Sequence, residues 1–562
     1  MEKNTNKKVL IGLSWVYANG RLHIGHVGSS LPADAIARFH RLVGNDVSFV
    51  TGSDCYGTPI LVESLKEGIA PEALAEKYHK LLESDFARIG FTFDNYSKTM
   101  GEYHQKFAMD FHTEMYGGEY VYKKSADQLY CEKCVKYLPD RYVEGTCPHC
   151  KMHAKGDSCD GCGKMLEPEE LLDPKCKLCS DSPKPRNTAQ LYIKLSALQK
   201  QLQKYYDANK DVWTVNAQGM AGRYLKEGLR DRAITRNIEW GVAIPNTPMT
   251  TGEEWNEEKR IYIWAENVLG YLSATKEFCE RTGREWKDFL IDTKNQATSN
   301  KLHYYVHAKD NIPFHAIIFP GLMLANPKQK YHLPDYIVSS EYIMIEGKKM
   351  SKSAGTLLTA EEMSDAFDPD LIRFYFLKNM NDRKDVNFTF TDFVHTVNGE
   401  LINNFGNLVN RTLSFVASKF DGEVKTAKVS EDVLNEIKRT YTEVTELLTA
   451  GKSNKALQVA FDLVNFGNKY FDTCKPWISV KDNVELCKQN IFEVITLIAN
   501  IAKICEPFIP FGCKKVQQWL NIPTDKFELF VHSADFRLPE VDILYKRLDL
   551  KEIMEKFKKY TS

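Results

Sequence analysis

The chain has 562 residues, enough for several folded domains, and 43% of them are apolar, which is typical of large packed cores. Its 74 Lys and Arg residues balance its 75 Asp and Glu residues, so the composition excludes a strongly basic nucleic-acid-binding protein. The sequence has no apolar stretch long enough to span a membrane, and residues 1–8 lack the apolar part of a secretory signal. We therefore expect a cytoplasmic protein without membrane contact.

The first predicted elements are a buried strand at residues 9–13, a loop, a helix that begins at Ile24 and a second strand at residues 45–50. This order is typical of a doubly wound α/β domain, in which ligands bind at the carboxyl ends of parallel strands. The loop residues that follow the two strands, including Asp54, are therefore candidate site residues.

Two histidines, His23 and His26, lie at the start of this predicted helix and share one of its faces. A helix N-terminus offers unpaired N–H groups and a positive potential, which suit a triphosphate. Gly25 lacks a side chain, so an adenine ring could approach the backbone there. In the alternative interpretation, the two histidines only cap the helix.

Eight of the 14 cysteines form four Cys-x-x-Cys pairs: Cys131/Cys134, Cys147/Cys150, Cys159/Cys162 and Cys176/Cys179. This spacing predicts one or two structural zinc sites with four thiolate ligands each, in a segment with too few apolar residues to fold without metal. Spacing does not fix the pairing. We favour a nested arrangement, with the second and third pairs inside and the first and fourth outside. The six other cysteines are expected to be mostly buried apolar residues.

The strand pattern resumes after this insertion. Residues 261–264 and 304–307 are predicted to be further strands of the same sheet, and residues 336–338 and 342–345 are also predicted to be strands. The last of these leads to a loop that contains Lys349, Met350 and Lys352. Two lysines on a mobile loop suit the neutralisation of charge on reacting phosphates. Considered alone, a solvated basic loop is the simpler interpretation.

From residue 392 onward, apolar residues recur at helical spacing, with further segments at 431–449, 453–472 and 484–506, which predicts an antiparallel helix bundle. Asn407 and Arg411 share a face of one predicted helix, and Pro476-Trp477 follows another. Unpaired RNA bases are bound by stacking on aromatic rings and by hydrogen bonds to their edges, which these side chains can supply. In the alternative interpretation, Trp477 is a core residue and Asn407 and Arg411 are an ordinary surface pair.

Together these motifs resemble the methionyl-tRNA synthetases, a family of class I aminoacyl-tRNA synthetases, over nearly the whole chain. The resemblance is carried by residues 17–26, 52–59, 138–145, 235–241 and 349–353, and by Asn407, Arg411, Pro476 and Trp477. It implies an α/β fold, with a Rossmann-type catalytic domain split by a zinc-knuckle insertion and followed by an all-α anticodon-binding bundle. The implied boundaries are 1–120 and 232–332 for the catalytic halves, 121–231 for the insertion, 333–391 for the stem-contact region, 392–540 for the bundle and 541–562 for a helical tail.

The resemblance also implies the roles of individual residues. The catalytic groups would be His23, His26, Lys349 and Lys352. ATP would contact those four and also Tyr17, Gly25, Lys309 and Asp310. Methionine would contact Ser14, Trp15, Tyr17, Asp54, Arg236, Trp264, Val268, Tyr271 and His315, with Asp54 at the ammonium and Arg236 near the carboxylate. A CAU anticodon would contact Asn407, Arg411, Pro476 and Trp477.

The implied reaction is the ATP-dependent activation of L-methionine and its transfer to the 3′ end of initiator and elongator tRNA(Met), with Mg²⁺ at the phosphates and with a monomeric enzyme. Two other interpretations compete with it. One is the cysteinyl enzyme, which would need an open thiolate zinc site around Cys55; the other is a non-catalytic tRNA-binding paralogue. Trp15, Tyr56, Asn267 and Asn311 depart from the residues common in the family, which leaves the shape of the methionine pocket open.

Overall fold

The computed structural model describes residues 6–139, 142–156, 159, 161–252, 255, 259–293, 300–350, 356–524 and 526–561. The strands are β1 Lys8–Leu13, β2 Val16–Tyr17, β3 Asp46–Asp54, β4 Asn95–Lys98, β5 Val121–Cys131, β6 Lys136–Tyr137, β7 Val143–Thr146, β8 His153–Lys155, β9 Leu172–Cys176, β10 Lys184–Ile193, β11 Arg232–Ala233, β12 Thr235–Asn237, β13 Lys259–Ile261, β14 Lys301–Ala308, β15 Tyr336–Ser340, β16 Ile343–Ile345, β17 Lys348–Lys349, β18 Val386–Phe388, β19 Glu423–Val424 and β20 Phe536–Arg537.

The helices are α1 Ile24–Leu42, α2 Thr58–Glu67, α3 Pro71–Ile89, α4 Glu102–Tyr116, α5 Leu195–Asn209, α6 Val215–Glu227, α7 Ile263–Glu266, α8 Gly270–Thr282, α9 Trp286–Leu290, α10 Phe319–Ala325, α11 Ala360–Ser364, α12 Pro369–Asn379, α13 Phe390–Thr396, α14 Asn407–Lys419, α15 Glu431–Thr449, α16 Ser453–Cys474, α17 Pro476–Asp482, α18 Val484–Cys505, α19 Pro510–Trp519, α20 Leu550–Lys556 and α21 Lys558–Thr561. Wider π-helical turns at Phe314–Ile318 and Val397–Gly406 lead into α10 and α14.

A parallel six-stranded sheet organises the N-terminal half, with the strand order β15–β14–β1–β3–β2 and with β4 also paired to β3. Strand β1 is central because its residues from Val9 to Leu13 carry no polar side chain and are buried on both faces of the sheet. The predicted strands at 9–13, 45–50, 304–307 and 336–338 are confirmed. The carboxyl ends of β1, β3 and β14 meet at one edge, where a doubly wound sheet binds its ligands.

The predicted strand at residues 261–264 is wrong. The strand comprises only Lys259–Ile261, and it pairs antiparallel with β12 in a separate two-stranded sheet. The backbone N–H of Ala265 then donates to the carbonyl of Tyr262, and helix α7 follows. A short apolar run has no periodicity that separates a strand from a buried helix, which is why the pattern misled us.

The insertion begins with β5, which forms a long antiparallel pair with β10, and the cysteine-rich segment connects these two strands. The C-terminal half is helical, and α15, α16 and α18 cover the segments predicted at 431–449, 453–472 and 484–506. One hydrophobic core runs from β1 and α1 through α12 into this bundle. The predicted fold class is thus confirmed, and among the described helices none is long and apolar enough to cross a membrane.

Candidate functional site

The histidine motif and the lysine-rich loop lie far apart in the sequence but meet at the edge of the sheet. The Ile24 N–H donates to the carbonyl of Leu358 over 3.0 Å, and the Ala360 N–H donates to the carbonyl of Leu22 over 2.8 Å. The segment that follows the lysine-rich loop is therefore bonded to the residues that begin α1. This arrangement holds one end of the loop beside the two histidines.

His23 and His26 form a stacked pair at the start of α1, with ring centroids 3.7 Å apart. His23 is the N-cap residue: its Nδ1 accepts the Gly25 N–H at 3.1 Å, while Nδ1 of His26 accepts the His23 N–H at 3.4 Å. Burial lowers the pKa of His26 to about 4, and burial, together with the neighbouring His26 ring, lowers the pKa of His23 well below its ordinary value. Both rings are therefore neutral near pH 7, and each carries its single proton on Nε2.

The lysine-rich loop approaches the histidines through Met350. A Cβ built on Gly25 would lie 2.7 Å from the methyl carbon of Met350, so this side chain fills the space that we expected an adenine to approach. Lys349 is exposed on β17, with its Nζ 5.8 Å from the centre of the Tyr342 ring. The predicted catalytic Lys352 lies outside the described residues.

Lys309 follows β14 and is engaged by two carboxylates. Its Nζ donates to Glu341 Oε2 and to Asp385 Oδ1, both at 2.6 Å, and lies 4.4 Å from the centre of the Tyr342 ring. Burial alone would lower the pKa of Lys309, but these hydrogen bonds raise it. Lys309 is therefore a cation held at the sheet edge, and the neighbouring Asp310 is exposed.

Asp54 ends β3 and is buried at the same edge, with 1% of its surface exposed. Its Oδ2 accepts a hydrogen bond from Asn267 Nδ2 at 2.8 Å, and its Oδ1 accepts the Tyr56 N–H at 3.3 Å. Tyr17 pairs with Asp54 through β2, and Ser14 at the end of β1 donates its N–H to the carbonyl of Val306. Asp54, the expected ligand of the substrate ammonium, thus lies at the edge of the sheet where β1, β2 and β3 end.

An aromatic group next to Asp54 includes the other residues expected around a methionine side chain. Trp264 stacks on Phe314, with centroids 3.6 Å apart, and the Tyr271 hydroxyl is 2.7 Å from His315 Nε2. Trp15 packs edge-on against Tyr271 and fills the space beside Gly270. The expected pocket residue Val268 is buried in the same cluster. This group is an apolar site with few polar atoms, which suits a thioether side chain.

Arg236 projects from β12 and is held by the cysteine-rich insertion. Its Nη2 is 3.1 Å from Glu167 Oε2, and its guanidinium lies 4.1 Å from the centre of the Tyr262 ring. Glu167 also binds Arg232 at 2.8 Å. The insertion therefore fixes the orientation of the arginine that we expected near the substrate carboxylate.

The eight cysteines gather into two groups, Cys131/Cys134/Cys176/Cys179 and Cys147/Cys150/Cys159/Cys162, which is the nested pairing. Four of the sulfur–sulfur distances within these groups lie between 3.4 and 3.9 Å. A tetrahedral zinc site with bonds of about 2.3 Å requires sulfurs about 3.8 Å apart, so both groups fit zinc. Cys55 belongs to neither group; burial raises the pKa of its thiol to about 12.

The four knuckles share one backbone conformation. The residue after each second cysteine is left-handed: Val135, Lys151, Gly163 and Ser180 have φ between 53° and 67°. Three of these residues are not glycine, so they tolerate an unfavourable conformation. Metal–thiolate bonds supply the kind of external constraint that maintains such backbone strain.

The side chains expected to bind RNA lie at the exposed end of the helix bundle. Arg411 Nη1 binds Asp472 Oδ1 at 2.7 Å, its Nη2 donates to Asn468 Oδ1 at 2.8 Å, and its guanidinium covers the Phe471 ring. Trp477 lies 6.2 Å from the same ring and is 49% exposed, so the alternative that it is a core residue is wrong. Asn407 is exposed, and Pro476, the first residue of α17, is buried.

A parallel nucleotide-binding sheet whose histidine and lysine motifs meet, followed by a helix bundle, defines a class I aminoacyl-tRNA synthetase. The family model "tRNA synthetases class I (M)" matches residues 9–413, and "Anticodon binding domain of methionyl tRNA ligase" matches residues 421–541. The chain is 39% identical to methionine–tRNA ligase 1 of Alkaliphilus oremlandii, over 98% of this chain and 99% of that protein, and 38% identical to the Bacillus cereus ligase. The chain therefore belongs to the methionine–tRNA ligase family.

The fold is also that of a solved relative. The Mycobacterium tuberculosis methionyl-tRNA synthetase bound by methionyl-adenylate aligns with a TM-score of 0.76 at 20% identity, over 96% of this chain and all of that one. Sequence reasoning missed several side chains that hold the expected site residues: Glu341 and Asp385 at Lys309, Asn267 at Asp54, Glu167 at Arg236, and Phe471 at Arg411. Phe471 is itself buried in the core of the bundle, so its helical spacing did not separate it from the other core residues.

Proposed function

We propose that this chain joins L-methionine to tRNA(Met) in two steps. The methionine carboxylate attacks the α-phosphate of ATP, a new carboxylate–phosphorus bond forms, and pyrophosphate leaves as the α–β bond breaks. The 3′-terminal hydroxyl of the tRNA then attacks the activated carbonyl, and AMP leaves. The meeting of the histidine and lysine motifs, in a chain 39% identical to a methionine–tRNA ligase, carries this proposal.

The first step requires no nucleophile from the protein, because the substrate supplies the carboxylate. The protein aligns the reactants and stabilises the charge that develops on the phosphates. Mg²⁺ would accompany ATP as part of this substrate and would supply positive charge at the pyrophosphate leaving group. The neutral rings of His23 and His26 donate from Nε2, while Lys349 and Lys352 bring positive charge on the loop.

The methionine site lies between Asp54 and the aromatic group. Asp54 accepts the ammonium, Arg236 is near the carboxylate, and Trp264, Tyr271 and His315 surround the side chain. Amino-acid-dependent exchange of labelled pyrophosphate into ATP, measured without tRNA over a panel of amino acids, tests this assignment. Exchange with methionine alone is the expected result; exchange with another amino acid would refute the substrate, and no exchange would favour a non-catalytic tRNA-binding paralogue.

Both cysteine groups hold zinc in a structural role, since each offers four thiolates and no open ligand position. Replacing Cys147 with alanine should remove the metal of the inner group and leave the outer one, so that the zinc content falls from two ions per chain to about one. Elemental analysis of the purified protein measures this content. Cys55→Ala, which removes a buried thiol outside both groups, should retain both ions. Equal loss from both groups in Cys147→Ala would mean that they are one cooperative unit.

The exposed end of the bundle binds the CAU anticodon through Asn407, Arg411, Pro476 and Trp477. Trp477→Ala should lower kcat/KM for tRNA charging about 10- to 100-fold, because stacking of one base on an aromatic ring is lost. Methionine-dependent pyrophosphate exchange should remain unchanged, since the ring is in the helical half of the chain. The matched control is Leu65→Ala, which removes an exposed apolar side chain from α2. Equal losses of charging and exchange in Trp477→Ala would contradict an RNA-specific role.

The enzyme is a cytoplasmic monomer in this proposal. Solution scattering measures the mass directly, and a dimer mass that does not change on dilution would refute the monomer.

A further inference from the structure

The carboxylate of Asp54 is held by a side chain for which the proposed function has no use. Asn267 Nδ2 donates to Asp54 Oδ2 at 2.8 Å, a shorter contact than the 3.3 Å between the Tyr56 N–H and Oδ1. Both residues of the pair are buried, with 1% of Asp54 and 6% of Asn267 exposed. A buried carboxylate depends on such donors, because water does not replace them.

Asn267 lies directly after the short helix that carries one of the expected methionine-binding residues. Asn267 begins the turn Asn267–Leu269 that follows α7, and α7 carries Trp264. The same short segment therefore supplies an aromatic wall for the expected methionine side chain and a donor for the expected ammonium ligand. Asn267 departs from the residue common in the family at this position, so the resemblance does not imply this contact.

We infer that Asn267 is a positioning residue for the substrate ammonium: it holds the Asp54 carboxylate in the rotamer that accepts this group. Asn267 acts through Asp54 and not on the reacting atoms. A fixed carboxylate loses no rotational freedom when the ammonium binds, so the affinity for the amino group increases without any effect on the chemical step. This inference rests on the proposed function, because it takes Asp54 as the ammonium ligand.

The test compares three ligands by isothermal titration. Methionine has both an ammonium and a carboxylate, methioninol retains the ammonium and lacks the carboxylate, and methylthiobutanoate lacks the ammonium. In Asn267→Ala we expect methionine and methioninol to bind about 10-fold more weakly, in line with the loss of a hydrogen bond to a charged group. Binding of methylthiobutanoate should not change. The KM for methionine in pyrophosphate exchange should rise by the same factor, with kcat retained.

The matched control is Val268→Ala, which removes the adjacent buried side chain but no polar atom. It should affect the three ligands alike. In the Asp54→Asn background, Asn267→Ala should have no further effect on methioninol, because the two residues act as a unit. Thermal unfolding of each variant establishes that it is folded.

Two results would overturn the inference. Equal weakening of all three ligands in Asn267→Ala would mean that Asn267 only shapes the pocket, and unchanged binding of all three would mean that Asp54 is positioned without it. Failure of the unaltered protein to bind methionine or methioninol would instead refute the proposed function, and the inference with it. Binding of methionine and methioninol to the unaltered protein therefore distinguishes a failure of the inference from a failure of the proposed function.

Discussion

Replacing His23 with asparagine is expected to lower kcat for methionine-dependent pyrophosphate exchange by about 100- to 1,000-fold, the usual effect of removing one preorganised donor from a developing oxyanion. His23 has two functions in the structure. Its Nδ1 caps α1 by accepting the Gly25 N–H, and the proton on its Nε2 remains available for a phosphate. Asparagine is a preferred N-cap residue, so the substitution keeps the first function and removes the second.

His23→Ala separates the capping role of His23 from its role as a donor to phosphate. Alanine removes both the cap and the donor, so it should cost about 0.5–2 kcal/mol of stability in addition to the same loss of rate. If the histidine only caps the helix, His23→Asn will retain the exchange rate and His23→Ala will lose stability alone. Steady-state kinetics with thermal unfolding of both variants distinguishes these outcomes. The loss should be in kcat and equally in kcat/KM, as expected for a contact made in the transition state.

The periodic elements of this protein were predictable from its sequence, and the short ones were not. Helix α15 was predicted with the bounds that it has, because an apolar residue recurs on one face through the whole of Glu431–Thr449. Residues 261–264 had no such length, and their apolar side chains fit a strand or a buried helix equally well. The nested cysteine groups also needed the structure, since spacing alone allowed other pairings.

In the candidate site, the residues that carry the chemistry were predictable from the sequence, and the residues that hold them in place were not. The histidine and lysine motifs, Asp54 and the cysteines carry their chemistry in residue type and local order, so a sequence reveals them. The side chains that hold these residues in place cannot be found in this way. Contacts such as Arg236 with Glu167 and Asp54 with Asn267 join residues that are far apart in the chain. Met350 is a third case: its approach to Gly25 depends on where the loop lies, and no local pattern encodes that.

The largest effect on stability is expected at Arg373, which connects the helix of the histidine motif to the helix bundle. Arg373 projects from α12 and is fully buried; its Nη2 binds Asp34 Oδ2 on α1 at 2.7 Å. Its Nε donates to the carbonyl of Phe508 at 2.8 Å, and its Nη2 also donates to Pro507. One guanidinium therefore binds acceptors from α1 and from the segment between α18 and α19.

Arg373→Met keeps much of the side-chain volume and removes these donors, so it should lower the free energy of unfolding by about 3–5 kcal/mol, as for a broken buried pair. Chemical denaturation measures this loss. The matched control is Arg38→Met, because Arg38 binds the same Asp34 oxygen at 2.7 Å but is partly exposed, with 12% of its side chain accessible. We expect a smaller loss there, about 1 kcal/mol. Equal losses would mean that the charge of Asp34, and not the burial of Arg373, determines the effect.

The pH at which acid unfolds the protein should also differ between the unaltered protein and Arg373→Met, because Arg373 stabilises the ionised form of Asp34. Burial would raise the pKa of Asp34, but Arg373 and Arg38 outweigh it and hold this pKa at about 2, below the ordinary 3.8. A carboxylate with a depressed pKa stabilises the folded protein above 3.8, and this contribution is lost as the pH falls through about 2. Removal of Arg373 takes away one of the two cations that lower the pKa of Asp34. This pKa should therefore rise, and acid unfolding should begin at a higher pH. Unfolding monitored by circular dichroism along a pH titration measures this shift; an unchanged acid transition in Arg373→Met would show that Arg38 alone maintains the ionised carboxylate.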